Sequence, residues 1–205
     1  MPKAAPATRR TQEERSATTR ARLLDAAVES LVELGYGGTT TTVVAERAGV
    51  SRGAQLHHFG TRAQLIGAAV QHVFQGLTDA YREGFAAIPP DADRVEAAVD
   101  LLWKMFLQPR HLAALDLYLA ARTDPELRAA LAPVAARHRE NVMKLAREYF
   151  PEAAKHGARF TVLLDLILDA MLGMAVARGL YGEREGDRAV LAELRRLARE
   201  LVDNT

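Results

Sequence analysis

Residues 40–59 read TTTVVAERAGVSRGAQLHHF, and the spacing inside this stretch decides the fold. Two short helices can cross at a steep angle only when particular positions hold particular residues. The closest approach needs a small side chain, and Ala45 is there. The turn needs a residue free to take positive φ, and Gly49 follows four positions later. An apolar residue must then plug the space between the helices, and Val50 does. Val44 and Ala48 fall on the same inward face. Ser51 stands where the second helix, over about 52–58, needs an N-cap, and the run Thr39 to Thr42 offers caps for the helix before it. The pattern predicts a helix-turn-helix.

Working outward, nearly every segment has helical periodicity and no alternating strand is convincing. Leu23, Leu24, Ala27, Val28, Leu31 and Leu34 form one apolar stripe on a helix starting near 14 or 18 and ending at 34, with Gly35 in the left-handed position beyond it. Downstream, Gly60 closes the second helix of the motif. Thr61-Arg62-Ala63-Gln64 is a capping box that opens a fourth helix, to about 85. Ile88-Pro89-Pro90-Asp91 is a break. Five further helices are expected, over 93–107, 110–122, 125–149, 153–180 and 187–202. Asp124 followed by Pro125 marks one start, and Pro133 is expected to kink that helix. The fold class is all-α with about nine helices. It comprises a basic arm (1–16), a three-helix helix-turn-helix domain (17–77, motif 40–59) and a helical C-terminal domain (78–205).

Composition narrows the chemistry. The 205 residues contain no cysteine, which excludes disulfides, thiolate metal sites and cysteine nucleophiles. No apolar leader precedes residue 22, and the most apolar stretch, 162–176, is interrupted by Asp165 and Asp169. A cytoplasmic protein outside the membrane is expected. The formal net charge is only +1, but residues 1–75 carry nine basic against six acidic side chains, and the remainder 18 against 20. The basic stretch 9–22 is either a solubilising tail or an arm that touches phosphates.

Rival chemistries find little support in these residues. Gly49-Val50-Ser51-Arg52-Gly53 matches the G-x-S-x-G nucleophile elbow, but that elbow needs a strand before the serine, and residues 45–48 read as helix. His57 and His58 are adjacent, so on a helix they point about 100° apart and chelate poorly. His72, His111, His138 and His156 lack ligand spacing. No catalytic constellation, metal site or cofactor is expected. A helical small-molecule-binding protein without specific DNA recognition is the alternative to a DNA-binding regulator.

From residue 23 to residue 65 the chain resembles the N-terminal domain of the tetracycline-repressor (TetR) family: helix, Gly-Tyr-Gly, threonines, AERAGVSRGAQLHHF, then Gly-Thr-Arg-Ala-Gln-Leu. ARTDPELRAAL at 121–131 is similar to several members. The resemblance implies a transcriptional regulator, most often a homodimeric repressor that leaves a palindromic double-stranded operator when a small-molecule effector binds. It implies that the third helix lies in the major groove, with Arg52, Gly53 and Ala54 at base edges. Thr40 and Thr41 match helix-start positions near a phosphate, His58 matches a phosphate contact and Arg62 a basic residue near the DNA backbone. Ser51 and His57 complete the expected DNA-facing set. The family commonly has Leu-Tyr where this chain has Gln55-Leu56. Gln55 either reads adenine or packs sideways.

For the C-terminal part, an unidentified small-molecule effector is expected in a pocket drawn from Trp103, Met105, Phe106, Tyr118, Met143, Met171 and Met174, with core packing the alternative role for each. Asp165 and Asp169, one turn apart, either line a polar wall, bond across a dimer seam, or face solvent. The resemblance places dimerisation in the last two helices. Val190, Leu191, Leu194, Leu197, Leu201 and Val202 form a stripe that must bury itself within the monomer or between subunits.

Overall fold

The protein, described here as a computed structural model over residues 11–203, is built from ten helices among the described residues. They are α1 (Gln12–Gly38), α2 (Thr41–Ala48), α3 (Arg52–His58), α4 (Arg62–Ala86), α5 (Arg94–Phe106), α6 (Pro109–Ala120), α7 (Pro125–Tyr149), α8 (Pro151–Ala154), α9 (Ala158–Tyr181) and α10 (Glu185–Asp203). The all-α expectation holds.

Several boundaries differ from the sequence reading, and two of the differences have a clear local cause. Helix α1 starts earlier, because Thr11 and Glu14 form a capping box: the Glu14 amide donates to Thr11 Oγ1 at 3.2 Å, and the Thr11 amide donates to Glu14 Oε2 at 2.8 Å. Residues 12–16 of the expected arm are therefore helical, and its residues 1–10 lie outside the described residues. The helix expected over 153–180 is two helices: α8 ends at Ala154, and Gly157, at φ +58°, stands at the N-cap of α9 and breaks the helical path between them. Helix α7, by contrast, runs on through Pro133, whose ring lies on an exposed face.

The motif folds as its spacing requires. Gly49 takes φ +61° and ψ +40°, and the Val50 amide reaches back to the Ala45 carbonyl at 3.0 Å. Arg22 of α1 donates to the Gly49 carbonyl at 3.4 Å. Val44, Ala45 and Ala48 are buried. On α1 the stripe is buried from Leu23 to Leu31, but Leu34 is exposed beside the left-handed Gly35.

Leu23, Val28, Val44, Leu65, Ile66, Val70, Leu117 and Leu127 belong to one core. Helices α1, α2 and α4 thus share their interior with α6 and α7. The expected division at 77/78 falls inside the uninterrupted α4, which packs on α1 as well as on α5, α6 and α7. A second core joins Val99 and Phe106 of α5, Leu115 of α6, Ile167, Met171 and Met174 of α9, and Leu191 and Leu194 of α10. The α10 stripe is consumed mostly within the monomer. Arg195 Nε donates to Asp100 Oδ1 of α5 at 2.8 Å, and Arg199 pairs with Asp93 and Glu96.

Candidate nucleic-acid interface and effector cavity

Helix α3 has two faces. Gln55 and Phe59 point inward, four residues apart, while Ser51, Arg52, Gly53, Leu56 and His57 are exposed. Ser51 is the cap: its Oγ accepts from the Ala54 amide at 3.1 Å. Arg52 has no ion-pair or hydrogen-bond partner among the described residues, so its guanidinium stands clear at the helix start. Ala54 and His58 are half-buried at the edges of the outer face.

Gln55 is corrected. It is 0% exposed and its Nε2 donates to the Phe59 carbonyl at 3.1 Å, so its amide is not on the outer face. The physical reason is the register that Val44, Ala48 and Phe59 set. With those residues facing the core, position 55 must face it too. The same register exposes Leu56 at 48%, on the outer face one turn after Arg52. The expected DNA-facing set omits Leu56, although its helical spacing from Arg52 is the available signal. An exposed leucine at this place offers an apolar contact to a thymine methyl group.

Arg62 is the second correction. Its Nε donates to the Thr39 carbonyl at 2.8 Å and its Nη2 to the Tyr36 carbonyl, and its guanidinium lies 3.9 Å from the Tyr36 ring centroid. It braces the loop before α2 rather than projecting outward. Tyr36 in turn donates its hydroxyl to Asp124 Oδ2 at 2.6 Å, and Asp124 caps α7 by accepting from the Leu127 amide at 2.9 Å. This chain of bonds ties the motif to the C-terminal helices.

Thr40 caps α2, accepting from the Val43 amide at 3.2 Å; its side chain is exposed, whereas Thr41 is half-buried. The first amides of α2 are thereby left at an accessible helix N-terminus, a place suited to a phosphate. Arg20 of α1 sits 5.2 Å from the Phe59 ring centroid, at the far end of α3. Partial burial, His57 and the Arg20 charge together push the His58 pKa down, which favours its neutral form near pH 7.

Between α4, α5, α6, α7 and α9 lies a largely apolar cavity of about 380 Å³. Of the candidate pocket residues, Met105, Phe106, Tyr118, Asp165 and Asp169 line it. Trp103, Met143, Met171 and Met174 do not. Met143, Met171 and Met174 are buried, and Met171, Met174 and Trp103 pack in or against the second core. The wall also includes Phe74, Tyr81, His111 and His138, which periodicity alone does not distinguish from ordinary core residues. Asp165 pairs with Arg139, while Asp169 is exposed. Burial raises the Tyr118 hydroxyl pKa.

The His138 ring stacks on Phe74 with centroids 3.9 Å apart. Burial, reinforced by His111, lowers its pKa from the ordinary 6.5 to about 4. The folded protein thus excludes a proton that the unfolded chain binds below pH 6.5. Stability is full above that value and declines as pH falls toward 4. Between pH 6.5 and 5 the loss attributable to His138 should be roughly 2 kcal/mol. Urea titrations of wild type and His138→Phe across this window check it. Parallel pH dependences in the two proteins would contradict the assignment.

Comparison with known proteins gives the class. The family described as "Bacterial regulatory proteins, tetR family" matches residues 23–69. CymR of Pseudomonas putida, an HTH-type transcriptional regulator, is 32% identical over 192 residues, covering 94% of this chain and 95% of CymR. An HTH-type transcriptional regulator of Mycobacterium tuberculosis is 31% identical over 181 residues, covering 86% of this chain and 90% of that protein. Among solved structures, the multidrug binding protein EbrR complexed with ethidium superposes with a TM-score of 0.65 at 26% identity, covering 87% of this chain and 97% of EbrR. A TetR-family regulator from Rhodococcus sp. shares the fold, with a TM-score of 0.66 at 18% identity.

The chain belongs to the TetR family of helix-turn-helix regulators. It is a DNA-binding transcriptional regulator. The family is in general non-enzymatic, and its members act on DNA as dimers under the control of small molecules.

Proposed function

We propose that this protein is a cytoplasmic homodimeric repressor that leaves a palindromic operator when an apolar, aromatic effector fills the cavity. The observation that carries this reading is the course of α4. Its N-terminus, capped by Thr61, follows α3 after only three residues, and Phe74, Leu77, Thr78 and Tyr81 of the same unbroken helix form one wall of the cavity. An effector that favours a displaced α4 therefore displaces the recognition helix as well. Effector and DNA then oppose each other by linkage. Aromatic and aliphatic walls suit a flat apolar compound, and EbrR, 25–26% identical, is complexed with ethidium and with proflavin.

Two α3 helices set about 34–36 Å apart, or at a multiple of that spacing, would read the half-sites. The dimer seam is assigned to the last two helices, chiefly the outer face of α9. Val162, Leu166, Asp169, Gly173, Val176 and Leu180 all lie exposed at alternating intervals of four and three. That spacing is the seam of a helix pair. Helix α9 is also long and apolar enough to cross a membrane by composition. Asp169 within the stripe and the Arg139–Asp165 pair beside it favour a protein partner over lipid.

The test is an anisotropy titration of labelled DNA flanking the protein's own gene, followed by challenge with planar aromatic compounds. Nanomolar, salt-dependent binding reversed by a compound supports the reading. Absence of any preferred site there and genome-wide would sink it. Within that assay, Arg52→Ala should cost about 1–3 kcal/mol and relax preference at one base position per half-site. An unchanged preference would remove Arg52 from the base-reading set.

A further inference from the structure

His111 of α6 is the polar feature of the cavity wall whose chemistry is most tightly determined. It is only 6% exposed, and its Nδ1 lies 3.2 Å from the Met105 carbonyl oxygen. A carbonyl can only accept, so Nδ1 carries the hydrogen. Burial disfavours the imidazolium and lowers the pKa, so the ring is neutral near pH 7. In a neutral ring with hydrogen on Nδ1, Nε2 holds a lone pair and nothing else. Nε2 has no hydrogen-bond partner among the described residues and, unlike His138 Nδ1, is not sealed from the cavity. The ring is held in place by Phe106, 4.8 Å between centroids, and by an edge-to-face contact with Phe74 at 6.2 Å.

We infer that His111 Nε2 is a fixed hydrogen-bond acceptor in the effector cavity, and that it selects aromatic effectors bearing an O–H or N–H donor over equally shaped compounds without one. The inference rests on the cavity being the effector site, as proposed above. The other polar groups of the wall do not impose this selection. The hydroxyls of Tyr81 and Tyr118 rotate to donate or accept, Thr78 is only half-buried and its hydroxyl hydrogen goes to the Phe74 carbonyl, His138 has no hydrogen bond that fixes its tautomer, Asp165 is engaged by Arg139, and Asp169 is exposed on the outer face of α9. His111 alone combines burial, a determined tautomer and an open lone pair. A ligand without a donor would leave that lone pair both desolvated and unpaired, which is the costly case.

The probes are 2-naphthol, its methyl ether 2-methoxynaphthalene, and naphthalene, titrated calorimetrically into the full-length protein. Wild type should bind the naphthol about ten- to a hundredfold more tightly than the ether. In His111→Phe the ratio should fall to about one while naphthalene binds as before. His111→Gln, whose Oε1 can reach the same place, should restore part of the preference. In the wild type, the ¹⁵N resonance of His111 Nε2 should shift on adding naphthol and not on adding the ether. A ratio near one in wild type, an unchanged ratio in His111→Phe, or a silent Nε2 resonance would each overturn the acceptor role while leaving the cavity reading standing. Failure of all three compounds to bind would instead overturn the cavity reading, and this inference with it.

Discussion

Leu166→Arg is expected to yield a folded monomer whose operator affinity is lower by a factor of a hundred or more. Leu166 is 51% exposed at the centre of the α9 stripe, so an arginine there meets solvent in the isolated chain and should leave its melting temperature nearly unchanged. In a dimer the same arginine would be buried against an apolar partner face without a designated counter-ion, a cost of several kcal/mol per charge. Operator binding by a dimer engages two recognition helices at once. Splitting it removes the gain from linked half-sites, on the order of 10²–10⁴. Sedimentation equilibrium and DNA anisotropy on the same sample check both halves. A variant that remains dimeric with wild-type operator affinity would show that the seam lies elsewhere.

Gly67→Leu is expected to destabilise the protein by about 3 kcal/mol, toward the upper end of overpacking effects. Helix α4 meets α7 so closely here that a Cβ on Gly67 would stand 3.2 Å from the Ala130 carbonyl oxygen and 3.3 Å from its Cβ. The obstruction is helix backbone, which cannot swing aside as a side-chain tip can. A larger side chain must part α4 from α7 or distort one of them. Gly76, on the same helix, is exposed, and a Cβ at that position would have nothing within 4 Å. Gly76→Ala should therefore gain about 0.5–1 kcal/mol from helix propensity alone. Urea midpoints of the two variants give opposite signs if the close approach is the cause. Equal and small shifts would show that α7 yields at Ala130. Because α4 links cavity to motif, Gly67→Leu should also alter effector response wherever the protein remains folded.

The contrast between Gly67 and Gly76 bears on how much could be read without the structure. Both are glycines in one amphipathic helix, and nothing local separates them. The same holds for Phe74 and Met171: periodicity marks each as inward-facing, but the cavity opens beside Phe74 and Met171 packs solidly in a core. Local rules did better where a short-range interaction sets the answer. The positive φ of Gly49, the Ser51 cap, the Thr61–Gln64 box and the Asp124–Pro125 start all involve residues within four positions of each other. The Thr11–Glu14 box obeys the same rule and extends α1 beyond its expected start. Gln55 shows a long-range constraint overriding a local possibility. An amide on a recognition helix can read adenine, but the packing of Val44, Ala48 and Phe59 turned this one inward.

The helix-turn-helix on 40–59 was therefore determined by the sequence itself, because its turn, caps and small crossing residue are close-range requirements that few side chains satisfy. The tertiary structure decided which face of α3 is outward, exposing Leu56 and burying Gln55. It turned Arg62 from an expected DNA contact into a brace, and it spent the α10 stripe on α5 while leaving that of α9 open. It also decided which buried residues surround empty space. Those outcomes depend on how helices far apart in the chain meet, and the energy of such meetings is written in no single helix.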